Sequence, residues 1–220
     1  MQATRIIAIR HGETAWNAGM RLQGHTDIGL NTRGQWQAQR VAQALAEESI
    51  DAVYSSDLSR AHATAQAIAQ HNTSLVNKTV ATHTGLRERG FGTFEGQTYA
   101  QIAQDWPAQS ERWRNRDPHF APPGGESLVQ LRERIQSTVD ALAGQHLGEH
   151  IVLVAHGGVM DALYRLATPQ LDLQSPRTWA LGNAAINRLL WTPDGLTLVG
   201  WADEQHLEDE AFSDQGAALR

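Results

Sequence analysis

Short apolar runs alternate with longer segments of helical period, and this predicts an α/β fold: a three-layer α/β/α sandwich with a mostly parallel sheet and an antiparallel strand from the C-terminal hairpin. Three observations carry that prediction. The runs Ile6-Ile7-Ala8-Ile9 and Ile151-Val152-Leu153-Val154-Ala155 are unbroken, as in strands buried on both faces. Segments with apolar residues spaced by three and four follow the strand-like runs. Pro193-Asp194-Gly195 separates two further strand-like runs, the signature of a hairpin.

The elements follow in order. A buried strand over 4–9 ends at the polar cluster Arg10-His11-Gly12. Residues 23–31 have the Gly, Asp and Asn content of a loop. Thr32 then opens a helix, with Gln35 completing a capping box and Ala38, Val41, Ala42 and Leu45 on one face. A short strand over 52–55 precedes a helix over 59–70, and a further strand fits 80–83. Between Gly85 and Gly125 the pattern loosens. Glycines and aromatics crowd 90–96, a short helix fits 99–105, and Pro118, Pro122 and Pro123 break the rest. So long an irregular stretch is expected to be functional, as a lid-like insertion near 90–123. Ser127 begins a strong helix with Leu128, Leu131, Ile135, Val139 and Leu142 on one face, ending near Gly144. The strand over 151–155 delivers His156-Gly157-Gly158 into a helix through Leu163 and Leu166. Strands over 185–191 and 196–201 form the hairpin. Residues 1–206 read as one domain, and the acidic tail over 207–220 is expected to be poorly ordered.

Composition narrows the function. The 220 residues contain no cysteine, which removes disulfides, thiolate metal sites and cysteine nucleophiles. The net charge of −6 argues against a protein that coats nucleic acid. The N-terminal apolar run is too short for a signal peptide, and no run approaches the roughly 20 apolar residues that cross a bilayer. The expectation is a cytoplasmic protein, with no nucleic acid and no membrane among its partners. Tryptophans in the C-terminal hairpin could serve a homodimer or pack the core.

Two strands end alike, one in Arg10-His11-Gly12 and the other in His156-Gly157-Gly158. Ligands of open α/β sheets sit beyond the carboxyl ends of strands, so both histidines belong at the functional edge. Glycine lets the backbone approach a ligand closely. A helix that starts after such a turn favours an anion. With Arg60 near the start of the helix after 52–55, two histidines and two arginines make a site for a phosphate dianion.

The run Arg10-His11-Gly12-Glu13-Thr14, followed by Trp16-Asn17, resembles the signature of the histidine phosphatase superfamily, which includes the cofactor-dependent phosphoglycerate mutases and many phosphomonoesterases. Gln23-Gly24, Asp27, Leu30 and Gly34 fit the loop that follows. Ser55-Ser56-Asp57-Leu58-Ser59-Arg60-Ala61 resembles the segment bearing the second arginine. Leu86-Arg87-Glu88, with Phe91-Gly92 and Phe94-Glu95-Gly96, resembles the segment bearing the acid. Gly124-Gly125-Glu126-Ser127 and Ala155-His156-Gly157-Gly158 complete a match in consistent order from residue 4 to residue 201.

The resemblance implies roles. His11 is the implied nucleophile, with one ring nitrogen free to attack and the other fixed by a carbonyl. Arg10 and Arg60 would clamp the non-bridging oxygens, and His156 would hydrogen-bond them, best as a cation. Asn17 and the N–H of Gly157 are implied as further phosphate donors. Glu88 would protonate the leaving oxygen and then take a proton from water, with Glu13 and Glu95 as alternative carboxylates. No metal and no cofactor is implied, since the arginines and His156 supply the counter-charge. Substrate specificity is expected from Gln23, Gly24, Arg112, Trp113, Arg114 and Arg116. The stretch between Gly96 and Gly124 is short beside the mutase insertion, so the resemblance favours a phosphomonoester hydrolase of a small phosphorylated metabolite. A phosphoglycerate mutase is the alternative, and a silent phosphate-binding module is the third reading.

Overall fold

The computed structural model describes residues 2–208. Six strands form one sheet: β1 (Thr4–Arg10), β2 (Ala52–Ser55), β3 (Ala81–Thr82), β4 (His150–Ala155), β5 (Ile186–Thr192) and β6 (Gly195–Asp203), in the order β3-β2-β4-β1-β5-β6. The first four in that order run parallel, and β5 and β6 add antiparallel at the β1 edge. The expected mixed sheet is therefore present, with both hairpin strands in it.

Helices cover both faces. Alternate residues of a strand point to opposite faces, so each face receives its own apolar set. Ile7, Ile9, Val152 and Val154 pack with α2 (Thr32–Ala44) and α3 (Ser59–His71). Ile6, Ala8, Ile151 and Leu153 pack with α6 (Leu128–Ala143) and α7 (Gly157–Ala167). All five apolar residues expected on the inward face of α6 are buried. Ser127 caps that helix through the N–H of Gln130, and Gly144 ends it. The cap of α2 differs from the expectation. Asn31 is the cap, accepting from the N–H of Gly34, and Thr32 is already the first helical residue.

The region 90–123 holds more structure than its prolines suggest. Besides α4 (Tyr99–Asp105) it forms α5 (Pro107–Arg114), with Pro107 at the first position, where a missing N–H costs nothing. A four-residue helix, α1 (Ala15–Ala18), follows β1 and is capped by Thr14. Leu22, Phe94, Ile102 and Phe120 are buried together with Phe91, Trp106 and Trp113 against them, a satellite core of its own. The hairpin tryptophans face inward. Trp191 is buried in the core on the α6 and α7 face, and Trp201 packs against the same cluster. The ordered chain also passes the expected boundary at 206, because Leu207 packs against the α2 face. Of the tail expected over 207–220, residues 209–220 lie outside the described residues. Among the described residues, no helix is long and apolar enough to cross a membrane.

Candidate active site

Register brings the two histidines together. Arg10 of β1 lies beside Ala155 of β4, so the next residue of each chain segment emerges at the same point of the sheet edge. The N–H of His11 donates to the carbonyl of Ala155 at 3.0 Å. The rings of His11 and His156 stand edge to face with centroids 5.1 Å apart. Both are almost fully buried.

His11 is held in one tautomer. Its Nδ1 lies 2.7 Å from the Gly12 carbonyl, which only accepts, so Nδ1 carries the proton and Nε2 keeps a lone pair. Burial holds its pKa well below the usual 6.5, and the charges of Arg10 and Arg60 add to this; the Gly12 bond opposes it more weakly. Gly12 is glycine for a steric reason. A Cβ there would stand 2.3 Å from the backbone oxygen of Gly34.

The arginines are fixed by carbonyls. Arg10 donates through Nη1 to Leu181, and Arg60 donates to Thr26 at 2.9 Å and Gly24 at 2.8 Å. The Nε of each is buried with no partner among the described residues. Both nitrogens of His156 are equally unpartnered. Buried donors without acceptors are costly, and one phosphoryl group has the oxygens to satisfy them together. The protein alone holds His156 neutral, through burial first and then through His11, Arg60 and Arg10. The cationic His156 expected from the sequence therefore requires the dianion itself to supply the opposite charge.

Glu88 reaches the same point from another direction. Its Oε1 accepts from the N–H of Gly158 at 2.9 Å and from that of Arg89 at 2.8 Å. A carboxylate at the start of α7 is favoured by the helix dipole. A Cβ placed on Gly157 would stand 3.5 Å from Arg10 Nε and 3.8 Å from Glu88 Oε2, so arginine, acid and helix start converge. A Cβ on Gly158 would stand 2.3 Å from Glu88 Oε1. The start of α3 is not free for a ligand, because Asp27 accepts from the N–H and hydroxyl of Ser59 there. Glu13 and Glu95 are also committed elsewhere. Glu13 accepts from Asn31, and Glu95 accepts from His25, Thr26 and Phe91.

Arg10, His11, Arg60, Glu88, Gly157 and Gly158 line the floor of a cavity of about 500 Å3, and His156 is buried against His11 beside it. Asn17 lines it with its Oδ1 taken by Thr14, which leaves the amide nitrogen as donor. Gln23, Trp113 and Arg116 also line it. Three expected specificity residues are placed otherwise. Gly24 accepts from Arg60, with φ +52 and no room for a Cβ beside Glu95. Arg112 pairs with Asp117 at 2.8 Å over the Phe120 ring, and Arg114 is exposed; neither lines the cavity. Arg116 is not a free cation, because it pairs with Asp161 at 2.8 Å and donates to Leu173. The sequence reading missed Tyr99, Arg177 and Trp179, which line the outer cavity. Tyr99 had a signal in its place on a predicted helix within the insertion. Arg177 and Trp179 had none, lying in an irregular stretch after α7.

Residues 6–204 match the histidine phosphatase superfamily, branch 1. The chain belongs to that superfamily. This histidine phosphatase is 40% identical over 214 residues to phosphoglycerate mutase-like protein 4 of Arabidopsis thaliana, covering 96% of this chain and 90% of that one. It is 35% identical over 217 residues to metal-independent phosphoserine phosphatase of the same plant, covering 98% and 88%. Its fold matches the mycobacterial glucosyl-3-phosphoglycerate phosphatase complexed with VO3 at a TM-score of 0.80 and 33% identity, covering 91% of this chain and 99% of that one. With the family comes the reaction class: this histidine phosphatase is a hydrolase of phosphate monoesters.

Proposed function

We propose that the enzyme hydrolyses a small phosphorylated metabolite through a phosphohistidine on His11. The observation that carries this reading is the His11 ring: buried, its Nδ1 committed to Gly12, its Nε2 left beside two arginines.

The geometry supports the following roles. Arg10, Arg60, His156, Asn17 and the N–H of Gly157 hold the non-bridging oxygens of the phosphoryl group. His11 Nε2 attacks phosphorus as the bond to the ester oxygen breaks. Glu88 gives its proton to that oxygen, and the alcohol departs. Water then attacks the phosphohistidine, Glu88 takes a proton from it, and the N–P bond breaks. Phosphate leaves with His11 and Glu88 restored. Phosphoryl transfer spreads charge over the equatorial oxygens, so placed donors supply most of the catalysis. Among the described residues, no group of three or more His, Asp or Glu side chains is arranged to hold a metal ion. The guanidinium groups can supply the counter-charge without one.

The reading places the enzyme in the cytoplasm, with a small phosphorylated metabolite as its partner and neither nucleic acid nor membrane. The test is phosphate release from a panel of monoesters with chelator present, beside the His11→Ala variant. Release that survives chelation and vanishes in the variant supports the reading. Primer-dependent interconversion of 2- and 3-phosphoglycerate with little phosphate release would replace it with a mutase. Phosphate binding without turnover of any ester would replace it with a silent binding module.

A further inference from the structure

Six arginines line the cavity: Arg10, Arg21, Arg60, Arg89, Arg116 and Arg177. Five are committed. Arg10 and Arg60 hold carbonyls at the phosphoryl floor. Arg21 donates to Gly96 at 2.7 Å. Arg89 is buried, donates to Glu126 and Phe120, and lies over the Trp113 ring. Arg116 pairs with Asp161. Arg177 alone makes no hydrogen bond and no ion pair among the described residues, and its side chain is exposed.

A free arginine on a surface usually means nothing, but the backbone under this one is fixed on both sides. Before it, Ser175 donates from its N–H and its hydroxyl to Asp172, and Arg165 donates to the carbonyls of Asp172 and Ser175. Pro176 then restricts the chain. After it, Trp179 is buried, stacked on Tyr164 with centroids 4.1 Å apart and with the Arg165 guanidinium 4.7 Å from its ring. Further on, the same segment holds Arg10 through the Leu181 carbonyl and donates from Asn183 to the His11 carbonyl at 2.8 Å. A rigid base thus carries an uncommitted guanidinium at a set position relative to the phosphoryl floor.

The surroundings add to this. The Arg10 guanidinium is lowered in pKa mainly by burial, and the charge of Arg177 contributes, so the two cations act on one another. Arg177 likewise acts on Tyr99, which lies on the insertion side of the cavity. Trp179 lines the cavity as well, and its indole N–H is buried with no partner among the described residues. The segment therefore offers five guanidinium donors and an indole donor, none of them paired among the described residues. A guanidinium fork matches a carboxylate in shape and charge. The cavity of about 500 Å3 leaves room beyond one phosphoryl group for the rest of a small molecule.

We propose that Arg177, with the Trp179 indole N–H beside it, is the carboxylate-reading site of the enzyme, so that its substrates are phosphomonoesters of carboxylic acids. This rests on the hydrolase reading above and adds the residue that selects the substrate class. Arg177 is a specificity residue and does not touch the reacting atoms.

The test uses esters matched except for the carboxylate. Phosphoserine is compared with phosphoethanolamine, and 3-phosphoglycerate with glycerol 3-phosphate, by kcat/KM from phosphate release. The wild-type enzyme should prefer the carboxylated member of at least one pair by about tenfold or more, the scale of a charge-assisted hydrogen bond near solvent. In Arg177→Ala that preference should collapse towards one, mainly through KM. Arg177→Lys, which keeps the charge and loses the fork, should retain part of it. Folding is not at stake, since the side chain makes no hydrogen bond or ion pair among the described residues. No wild-type preference overturns the proposal, as does a preference that survives in Arg177→Ala. An equal loss on both members of a pair overturns it too, and the hydrolase reading stands in all three cases. No release from any of the four esters strikes the hydrolase reading itself and takes this proposal with it.

Discussion

The floor and the outer wall of the cavity are built by different means. Strand ends deliver the floor. His11 and His156 sit next to each other because β1 and β4 pair in a fixed register, and the groups around them are buried and held by backbone carbonyls. Loops and short helices deliver the wall. Trp113, Arg116 and Tyr99 come from the insertion, and Arg177 and Trp179 come from the segment after α7. On the proposed reading, the floor binds what every phosphomonoester has, and the wall meets what differs between them. Register and burial leave the floor few alternatives, whereas the wall can change side chains without disturbing the sheet.

If the floor carries the chemistry, changes there should dominate. His11→Ala should lower kcat by about 10⁴-fold or more, the loss expected when the proposed nucleophile is removed. Phosphate release under saturating ester measures it. Glu88→Gln should cost about 10²- to 10³-fold on alkyl esters and much less on p-nitrophenyl phosphate, whose leaving group needs no acid. Equal losses on both esters would take the proton-transfer role away from Glu88.

Acid should weaken the floor as a structure. His11 and His156 are held below the usual pKa of 6.5 by burial first, then His11 by Arg10 and Arg60, and His156 by His11 and the same arginines. The unfolded chain takes up protons on these histidines near pH 6.5, and the native state does not. Stability should therefore fall as pH drops below about 6.5 and level off above it. Thermal melts from pH 8 to pH 5 read this, and millimolar phosphate should oppose the fall by binding the native site. The same shift keeps His11 competent as a nucleophile into mildly acidic solution. The rate profile should be bell-shaped, with its optimum between mildly acidic and neutral pH.

Packing effects come next. Gly12→Ala should destabilise by about 2 kcal/mol, because its Cβ would overlap the Gly34 carbonyl. The smallest effect should come from the insertion's outer surface. Arg114→Ala should change kcat/KM by less than about twofold on any ester, since Arg114 is exposed and does not line the cavity. A large effect there would mean that the insertion closes over the substrate.

How much of this could be read from the sequence follows the same division. The unbroken apolar runs marked β1 and β4, and each run ended on the residues that meet at the floor. The inward face of α6 was visible as a spacing of three and four. Asn31 was hidden as a helix cap because Thr32 and Gln35 offered a plausible box one residue on. The insertion was legible only as irregular. Its two helices are short, and their stability comes from Phe94, Ile102 and Phe120 packing together, which no local pattern announces. Arg112, Trp113, Arg114 and Arg116 are close in sequence, yet α5 and the turn after it send them different ways: one to Asp117, one to the cavity, one to solvent and one to Asp161. Arg177 had no motif at all. Its proposed role rests on the absence of any hydrogen bond or ion pair to it among the described residues, which only a structure displays.

The most direct test of the central claim is to trap the intermediate. The enzyme is mixed with a 32P-labelled monoester, quenched in alkali within milliseconds, digested, and the labelled peptide identified. Alkali preserves a phosphohistidine and acid destroys it. The account predicts an alkali-stable, acid-labile label on the peptide containing His11 that is absent from His11→Ala. A label on another residue, or turnover with no labelled enzyme at any quench time, would contradict it.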